Sequence, residues 1–268
     1  MCIRDRHKIV TLINSFHGRT IATLTATGQE EMHRDFNPLL PGFLYTPAND
    51  CEALKALVAE HDDIAAIMFE LVQGEGGVMP LEQAFVDCMA ELAAEKDILL
   101  VCDEVQTGNG RTGSLYAWQQ YGFTPDIMST AKGLGGGLPI GACLFGEKTE
   151  NTLTPGTHGS TFGGSPAVCA GALSILGRID EALLAQVRAK SEYLFSAFEG
   201  KPGIEQVSGL GLMIGLRTAK PAAEVVAKCM EQGVLVLTAH GKVRLLPALN
   251  IPMELVKKAA EVIIAACA

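Results

Sequence analysis

The chain has 268 residues, of which 48% are hydrophobic and 19% charged, so it can bury one large core or two modest ones and is neither disordered nor fibrous. Its formal net charge of −9 and the lack of any basic run argue against a nucleic-acid partner. No apolar stretch reaches the roughly 18–20 residues of a membrane span.

Short apolar runs recur along the first half of the chain and predict β-strands. These runs are Lys8–Asn14, Gly42–Thr46, Ile64–Leu71, Ile98–Cys102, Asp126–Thr130 and Ile140–Phe145. Helical patterns lie between several of them, at Asp50–His61 and Leu81–Lys96. Alternating helices and nearly continuous apolar strands predict an α/β fold with an open, mostly parallel sheet.

The second half of the chain has a different pattern. A helical pattern runs from Pro166 to about Phe198, broken only weakly by Gly171 and Gly177, and we interpret it as an interdomain helix. The predicted elements that follow are a strand at Val207–Arg217, a helix at Ala222–Gln232, strands at Val234–Leu237 and Val243–Leu246, and a helix from Pro252. We therefore predict a large domain over residues 1–171, and an interdomain helix with a small α+β domain over 172–268.

The start of the chain is abrupt. Met1–Arg6 has neither a helix cap nor a periodic pattern, and the first predicted strand follows at once. The sequence is therefore expected to begin inside its first domain, as an N-terminally truncated protein.

The eight cysteines are scattered, and none has C-x-x-C spacing. Four lie in apolar runs, namely Cys88, Cys102, Cys143 and Cys169. We expect reduced, buried thiols rather than disulfides or a zinc cluster, and the six histidines lack paired metal-ligand spacing. Because Met1–Arg6 also lacks the apolar core of a signal peptide, a cytoplasmic protein without a bound metal is predicted.

Two polar groups of opposite charge follow predicted strands. Asp103 follows the strand Ile98–Cys102, and Lys132 follows the strand Asp126–Thr130. In open α/β sheets, ligands bind at the carboxyl ends of the strands, so the carboxylate and the amine are expected in one crevice. This pair suits pyridoxal phosphate, because a lysine forms an imine with it and an aspartate keeps its pyridine nitrogen protonated. Each residue alone is more often a solvated strand-end charge.

Other candidate residues lie in further strand-end and glycine-rich segments. Phe16 can stack on a planar ring and Arg19 can clamp a carboxylate, although a core phenylalanine and a surface arginine are the plainer alternatives. Glu75 lies in a glycine-rich turn, where a solvated glutamate is the default. Ser160 and Thr161 stand between glycines, where an anion site and a plain turn are equally plausible. His17 and His158 are interpreted as structural residues.

Five motifs occur in an order and spacing that resemble the class III (ω-) aminotransferases, which are fold-type I pyridoxal phosphate enzymes. The motifs are NSFHGRT, QGEGG, DEVQTGNGRTG, STAKGLGGG and HGSTFGG. The resemblance runs from about His7 to the C-terminus and is far more specific than any one motif. It implies the large domain of that fold type followed by a smaller α+β domain.

The resemblance assigns roles around the cofactor. Lys132 corresponds to the lysine that bonds the cofactor and acts as general base and acid. Asp103 corresponds to the partner of the pyridine nitrogen. Val105 and Phe16 correspond to the residues on the two ring faces, and Gln106 to the residue near the phenolic oxygen.

The resemblance also assigns residues to the substrate and to a neighbouring subunit. Thr161 would bind the cofactor phosphate of a homodimer partner, and Ser160 would touch the substrate there. Arg19 and Arg244 correspond to carboxylate-binding arginines, and Glu75 to a switchable counter-ion of Arg244. Glutamate has two carboxylates, whereas the ω-amine substrate has one. If Glu75 pairs with Arg244 for the ω-amine substrate and releases it for glutamate, one site can accept both.

The expected reaction is transamination between an amino acid with an ω-amine and a 2-oxo acid. Acetylornithine and 2-oxoglutarate are the expected substrates, as in arginine biosynthesis. Ornithine, succinylornithine, 4-aminobutyrate and succinyldiaminopimelate remain alternative donors. A different alternative is an inactive α/β fragment, because the family's upstream phosphate-binding segment has no counterpart in this sequence. On that argument, the chain by itself is expected to bind the cofactor weakly.

Overall fold

The computed structural model describes residues 6–268, which form α/β structure. The strands are β1 (Lys8–Leu12), β2 (Phe43–Thr46), β3 (Ile64–Phe69), β4 (Val72–Gln73), β5 (Met79–Pro80), β6 (Leu99–Asp103), β7 (Ile127–Thr130), β8 (Ala142–Phe145), β9 (Ile204–Leu210), β10 (Met213–Thr218), β11 (Leu237–Ala239) and β12 (Lys242–Leu245). The α-helices are α1 (Ile21–Ala26), α2 (Glu30–His33), α3 (Cys51–Glu60), α4 (Gln83–Lys96), α5 (Pro166–Leu176), α6 (Glu181–Phe198), α7 (Ala222–Glu231) and α8 (Met253–Cys267).

These elements form two compact units. The first unit holds the described residues up to 71 together with 81–106 and 118–176, and the second holds 72–80, 107–117 and 177–268. The main change of unit therefore follows residue 176, whereas the sequence predicts it after residue 171. The two short insertions, 72–80 and 107–117, belong to the second unit although they interrupt the first unit in the chain.

The first unit contains a six-stranded sheet with the order β2-β1-β3-β6-β7-β8. Its first five strands are parallel, and only β8 runs antiparallel, to β7. The apolar strand β3 is buried along nearly its whole length, as is typical of a parallel sheet. The predicted mostly parallel α/β fold is thus confirmed. The ends of β1, β3, β6 and β7 share one edge of the sheet, because parallel strands end on the same side.

The second unit contains a four-stranded antiparallel sheet with the order β11-β12-β10-β9. Side chains of α6, α7 and α8 pack with this sheet in one core, which includes Phe198, Ile214, Val225 and Ile263. The short strands β4 and β5 form a separate two-stranded ribbon. Val72 and Val78 of this ribbon segment are buried against Met213 of β10.

Three predicted elements of the second half are wrong. The predicted strand Val234–Leu237 shares only Leu237 with the observed β11, because Val234 N donates to Cys229 O at 2.9 Å and closes the end of α7. The predicted strand Val207–Arg217 is a hairpin of β9 and β10, which turns at Gly211 with a φ of 60°. A left-handed φ suits glycine, which has no Cβ. The single helix predicted from Pro166 to Phe198, with only weak breaks, is two helices, because the chain leaves α5 after Leu176 and Asp180 starts α6 by accepting a hydrogen bond from Leu183 N at 2.8 Å.

Three further observations concern the start of the chain, the burial of the cysteines and the search for a membrane-spanning helix. The predicted unpatterned start lies outside the described residues except for Arg6, which donates to Lys96 O at 2.8 Å. Cys88 and Cys102 are buried as expected, but Cys169 is only partly buried, and Cys143 is exposed because it lies on the edge strand β8, where residues 142–144 are exposed on both faces. Within residues 6–268, no helix has the length and apolar character needed to cross a membrane.

Candidate active site

Asp103 is the last residue of β6 and is held in place by three neighbours. Its Oδ1 accepts hydrogen bonds from Ser129 Oγ at 2.9 Å and from Val105 N at 3.1 Å. Ser129 is the register partner of Asp103 on the adjacent strand β7, so the parallel pairing itself brings the two side chains together. The Asp103 side chain is only 7% exposed. A buried carboxylate with this many donors is fixed in position.

The third neighbour of Asp103 is His17, whose Nδ1 lies 2.8 Å from Asp103 Oδ2. The His17 side chain is fully buried. An ionised carboxylate only accepts hydrogen bonds, so Nδ1 must carry the proton of this bond. The Nε2 atom of His17 is buried and has no hydrogen-bond partner among the described residues. The sequence interpretation of His17 as a structural residue missed this contact, because 86 positions separate the two residues.

Lys132 starts a short 3-10 turn, Lys132–Gly135, directly after β7. Its φ is 48°, in the left-handed region, which non-glycine residues seldom adopt. Such strain concentrates at functional sites, where the surrounding structure maintains it. The turn packs against α5, and a Cβ at the neighbouring Gly136 would lie 2.5 Å from Ile175 Cδ1. Close packing on that glycine holds the loop that carries Lys132.

A small cavity of the first unit joins these residues. Its volume is about 100 Å³, and its lining combines charged, polar and apolar side chains. The lining residues are Phe16, His17, Gly18, Glu70, Asp103, Val105, Gln106 and Lys132. Five of the residues predicted to surround a cofactor are therefore brought together here, namely Phe16, Asp103, Val105, Gln106 and Lys132.

Glu70 and Gln106 are further polar groups of this cavity, and Glu70 is new to the predicted set. Glu70 follows β3, is buried, and accepts a hydrogen bond from Phe16 N at 2.9 Å, which fixes the segment after β1 to the end of β3. The Oε1 atom of Gln106 is buried without a hydrogen-bond partner among the described residues. Arg19 is exposed, and its guanidinium lies 5.4 Å from the centroid of the Phe16 ring. Arg19 is thus close to the cavity without lining it.

In the second unit, Glu75 and Arg244 form an ion pair. Arg244 Nη1 donates to Glu75 Oε1 at 2.7 Å. Glu75 lies in the turn between β4 and β5, and Arg244 lies on β12. The Arg244 side chain is 8% exposed and that of Glu75 is 33% exposed. The Nε atom of Arg244 is buried without a hydrogen-bond partner among residues 6–268, so this guanidinium keeps donor capacity for another acceptor.

Lys242 lies two residues before Arg244 on the same strand, and sequence reasoning missed it. Side chains two residues apart on a strand share one face. Lys242 is buried, and its Nζ lies 2.9 Å from Ser208 Oγ and 3.0 Å from Met79 Sδ. Burial, with a smaller effect from the positive charge of Arg217, lowers the pKa of Lys242. Lys242 and Arg244 therefore both contact the segment that carries Glu75.

Ser160 and Thr161 lie in the loop between β8 and α5 and are exposed. Ser160 Oγ accepts a hydrogen bond from Gly163 N at 3.0 Å. Neither residue lines the cavity of the first unit. Phe162, next to them, is 88% exposed.

Comparison with known proteins gives consistent matches over nearly the whole chain. The family model of the class-III aminotransferases matches residues 3–267. The chain is 48% identical over 260 residues to the acetylornithine aminotransferase of Haemophilus ducreyi, an alignment that covers 96% of this chain and 66% of that protein. It is 42% identical over 261 residues to the acetylornithine aminotransferase of Aquifex aeolicus, covering 97% of this chain and 68% of that protein. The chain thus spans about two thirds of the length of these relatives.

Solved structures of aminotransferases also superimpose on nearly the whole chain. The ornithine aminotransferase of Toxoplasma gondii superimposes with a TM-score of 0.92 at 32% identity, covering 99% of this chain and 65% of that one. The N-acetylornithine aminotransferase of Stenotrophomonas maltophilia superimposes with a TM-score of 0.81 at 34% identity, covering 99% of this chain and 66% of that one.

Proposed function

This chain belongs to the class-III aminotransferases, and on that premise we propose that it transfers an amino group from acetylornithine to 2-oxoglutarate. The observation that carries the proposal is the cavity at the strand ends, where Lys132 and Asp103 meet Phe16, Val105 and Gln106. The choice of acetylornithine is supported by curated relatives of that name at 41–48% identity. Ornithine is the second candidate donor, supported by the structural similarity to an ornithine aminotransferase.

The enzymes of this family depend on pyridoxal phosphate, and the residues of the cavity fit this cofactor. Asp103 offers a fixed carboxylate for a protonated pyridine nitrogen. Gln106 Oε1 is a buried atom that lacks a partner within the described chain, as expected for a group that meets a ligand. Phe16 supplies an aromatic face and Val105 an apolar one. When bound, the cofactor supplies an electron sink for the carbanion formed at the substrate Cα.

The residues of the chain then have separate tasks. Lys132 would hold the cofactor covalently and would act as the general base and acid that moves the proton at the substrate Cα. Asp103 holds the proton on the pyridine nitrogen, and its three hydrogen bonds keep the carboxylate in place. The left-handed backbone of Lys132 presents its side chain from a strained turn.

For the substrates, we assign the carboxylate groups to arginines. Arg19 binds the carboxylate that all the amino-acid substrates share, through the bidentate geometry that guanidinium offers. Arg244 binds the second carboxylate of glutamate or 2-oxoglutarate. When acetylornithine is bound, the pair with Glu75 neutralises Arg244, and the 2.7 Å ion pair supports this resting state. Ser160 contacts the substrate of a neighbouring subunit.

We further assign the chain to a cytoplasmic homodimer in which Thr161 binds the cofactor phosphate of the partner. Large apolar side chains close to Thr161 in the sequence support the dimer, because they are exposed: Phe162 is 88% exposed and Leu173 is 70% exposed. Exposed apolar surface of this kind marks interaction sites. The eight cysteines without a predicted disulfide framework support a reducing compartment such as the cytoplasm.

The deciding experiment compares the protein with its Lys132→Ala variant. In a parent protein extended at its N-terminus to the length of the relatives, we expect amino transfer from acetylornithine, and borohydride reduction followed by peptide mass mapping should locate the cofactor on Lys132. The variant should lose both the attachment and most of the turnover, because one side chain performs two steps.

Lys148→Ala is the matched control, since Lys148 is also an exposed lysine of the first unit. It should behave like the parent. Near-normal turnover in Lys132→Ala, or attachment of the cofactor to a different lysine, would contradict the proposal. A parallel assay with ornithine and 4-aminobutyrate as donors decides between the candidate substrates.

A further inference from the structure

Two cysteines of the first unit lie at the contact between α3 and α4. Cys51 is the first residue of α3, and Asp50 caps this helix by accepting a hydrogen bond from Ala53 N at 2.9 Å. The Cys51 thiol donates to the backbone oxygen of Ala84 in the first turn of α4 at 3.7 Å. The Cys51 sulfur therefore lies against α4 at a defined position.

Cys88 lies four residues after Ala84, on the same face of α4. Side chains of a helix lean towards its N-terminus, so the Cys88 thiol covers the turn that Cys51 contacts. Ala84 O, which the Cys51 thiol contacts, is also the acceptor one helical turn before Cys88, so the two thiols meet at the same turn of α4. Burial is the main reason why the pKa of Cys88 is raised to about 11, and the neighbouring Cys51 thiol adds to the rise.

The surroundings of the two sulfurs differ in charge and in access. Cys51 is partly exposed, whereas Cys88 is 6% exposed. The ammonium group of Lys55, one turn along α3, interacts electrostatically with both thiols. Cys51 lies at the N-terminal end of α3, where the helix dipole places partial positive charge, and the Lys55 ammonium group of the next turn is paired with Glu52 at 3.2 Å. A cavity of about 500 Å³ is lined by Lys55, Cys88 and Glu91, and it gives small solutes access to the Cys88 side of the contact.

We propose that Cys51 and Cys88 form an oxidation site, in which a peroxide converts the two thiols into a disulfide that joins α3 to α4. The sulfur of Cys51 attacks one peroxide oxygen, the O–O bond breaks, and one water leaves, so that Cys51 carries a sulfenic acid. The sulfur of Cys88 then attacks the Cys51 sulfur, the S–S bond forms, and the sulfenic oxygen leaves as a second water with the remaining proton. The two thiols together lose two electrons, and the peroxide gains them.

A second pair of cysteines in the chain gives an internal comparison. Cys229 and Cys267 interact electrostatically in the second unit, but their exposures are 0% and 1%. Both lie in the apolar core of that unit. A peroxide has no access to them in the folded state, so proximity without access should leave this pair reduced.

The experiment treats the folded protein with hydrogen peroxide in a Cys143→Ser background, because the exposed Cys143 would otherwise link separate molecules. Peptide mass mapping without reduction should find the peptides of Cys51 and Cys88 linked with the loss of two hydrogen atoms, and dithiothreitol should reverse the link. Cys51→Ser should abolish the linked species and leave Cys88 as a free thiol. Cys229→Ser should form the same link as the background protein.

Three results would overturn the proposal. One is a Cys51 that proceeds to the sulfinic acid while Cys88 stays a thiol. Another is a peroxide-treated protein in which both thiols remain free for alkylation after unfolding. The third is a link between Cys229 and Cys267 at the same rate as between Cys51 and Cys88. Cys51→Ser changes a partly exposed residue, so it should leave the fold intact, and its thermal unfolding provides that check.

Discussion

The ion pair of Glu75 and Arg244 makes the clearest quantitative prediction, for the variant Glu75→Gln. This change keeps the shape of the side chain and removes its charge. Two unit charges about 4 Å apart attract by ~4 kcal/mol at an effective dielectric constant near 20. Measured ion pairs on the surface contribute only ~0.2–1 kcal/mol to stability. Removing one partner of a buried ion pair lowers stability by ~3–5 kcal/mol.

The pair lies between these limits, because the Arg244 side chain is 8% exposed and that of Glu75 is 33% exposed. We therefore expect the loss to be about 2 kcal/mol, or roughly 30-fold in an equilibrium constant. The penalty should fall on acetylornithine, whose neutral acetyl end would face an unpaired guanidinium. Glutamate should be spared, because its second carboxylate supplies the missing negative charge.

The assay measures the two half-reactions separately by single-turnover absorbance changes, one with acetylornithine and one with glutamate. The ratio of their kcat/KM values should shift towards glutamate by about 30-fold in Glu75→Gln. Glu205→Gln is the matched control, because Glu205 is an exposed glutamate of the same unit, on β9. Equal losses in both half-reactions would refute the reasoning and leave Glu75 a structural role only.

Three more predictions concern residues that sequence reasoning did not single out. Gly211→Ala should lower the free energy of unfolding by about 3 kcal/mol or more in denaturant unfolding, because φ is 60° and a Cβ there would lie 2.4 Å from a backbone Cα atom. Gly233→Ala is the control: its φ is 77° but the surrounding space is open, so the loss should be only ~1 kcal/mol. Burial lowers the pKa of Lys242 below its ordinary value of 10.5, so just below that pH the unfolded chain binds more protons than the folded one. The free energy of unfolding of the parent protein should therefore rise with pH in that range. Lys242→Met should reduce this rise. An equal rise in both proteins would show that another group titrates. Ser129→Ala should weaken cofactor binding about tenfold in a titration, because the Asp103 carboxylate loses one donor; unchanged binding would remove Ser129 from the site.

The sequence by itself determined the elements that depend on local patterns. The apolar run at Ile64–Leu71 predicted β3, and the polar residues after the runs marked the carboxyl ends of the strands. Asp103 and Lys132 were found in this way, because parallel strands place their ends on one edge whatever their order. The resemblance of ordered motifs then added Arg244 and Glu75, which no local pattern connects.

Only the tertiary structure decided which distant groups meet. His17 contacts Asp103 across 86 positions, and Arg244 contacts Glu75 across 169. The hairpin at Gly211 escaped notice because two antiparallel apolar strands with a tight turn have the same composition as one long strand. The break before α6 was predicted only as a weak one at Gly177, because the apolar helical pattern continues on both sides of it. In each case the deciding term is a contact or a backbone conformation set by packing, which periodicity along the chain does not encode.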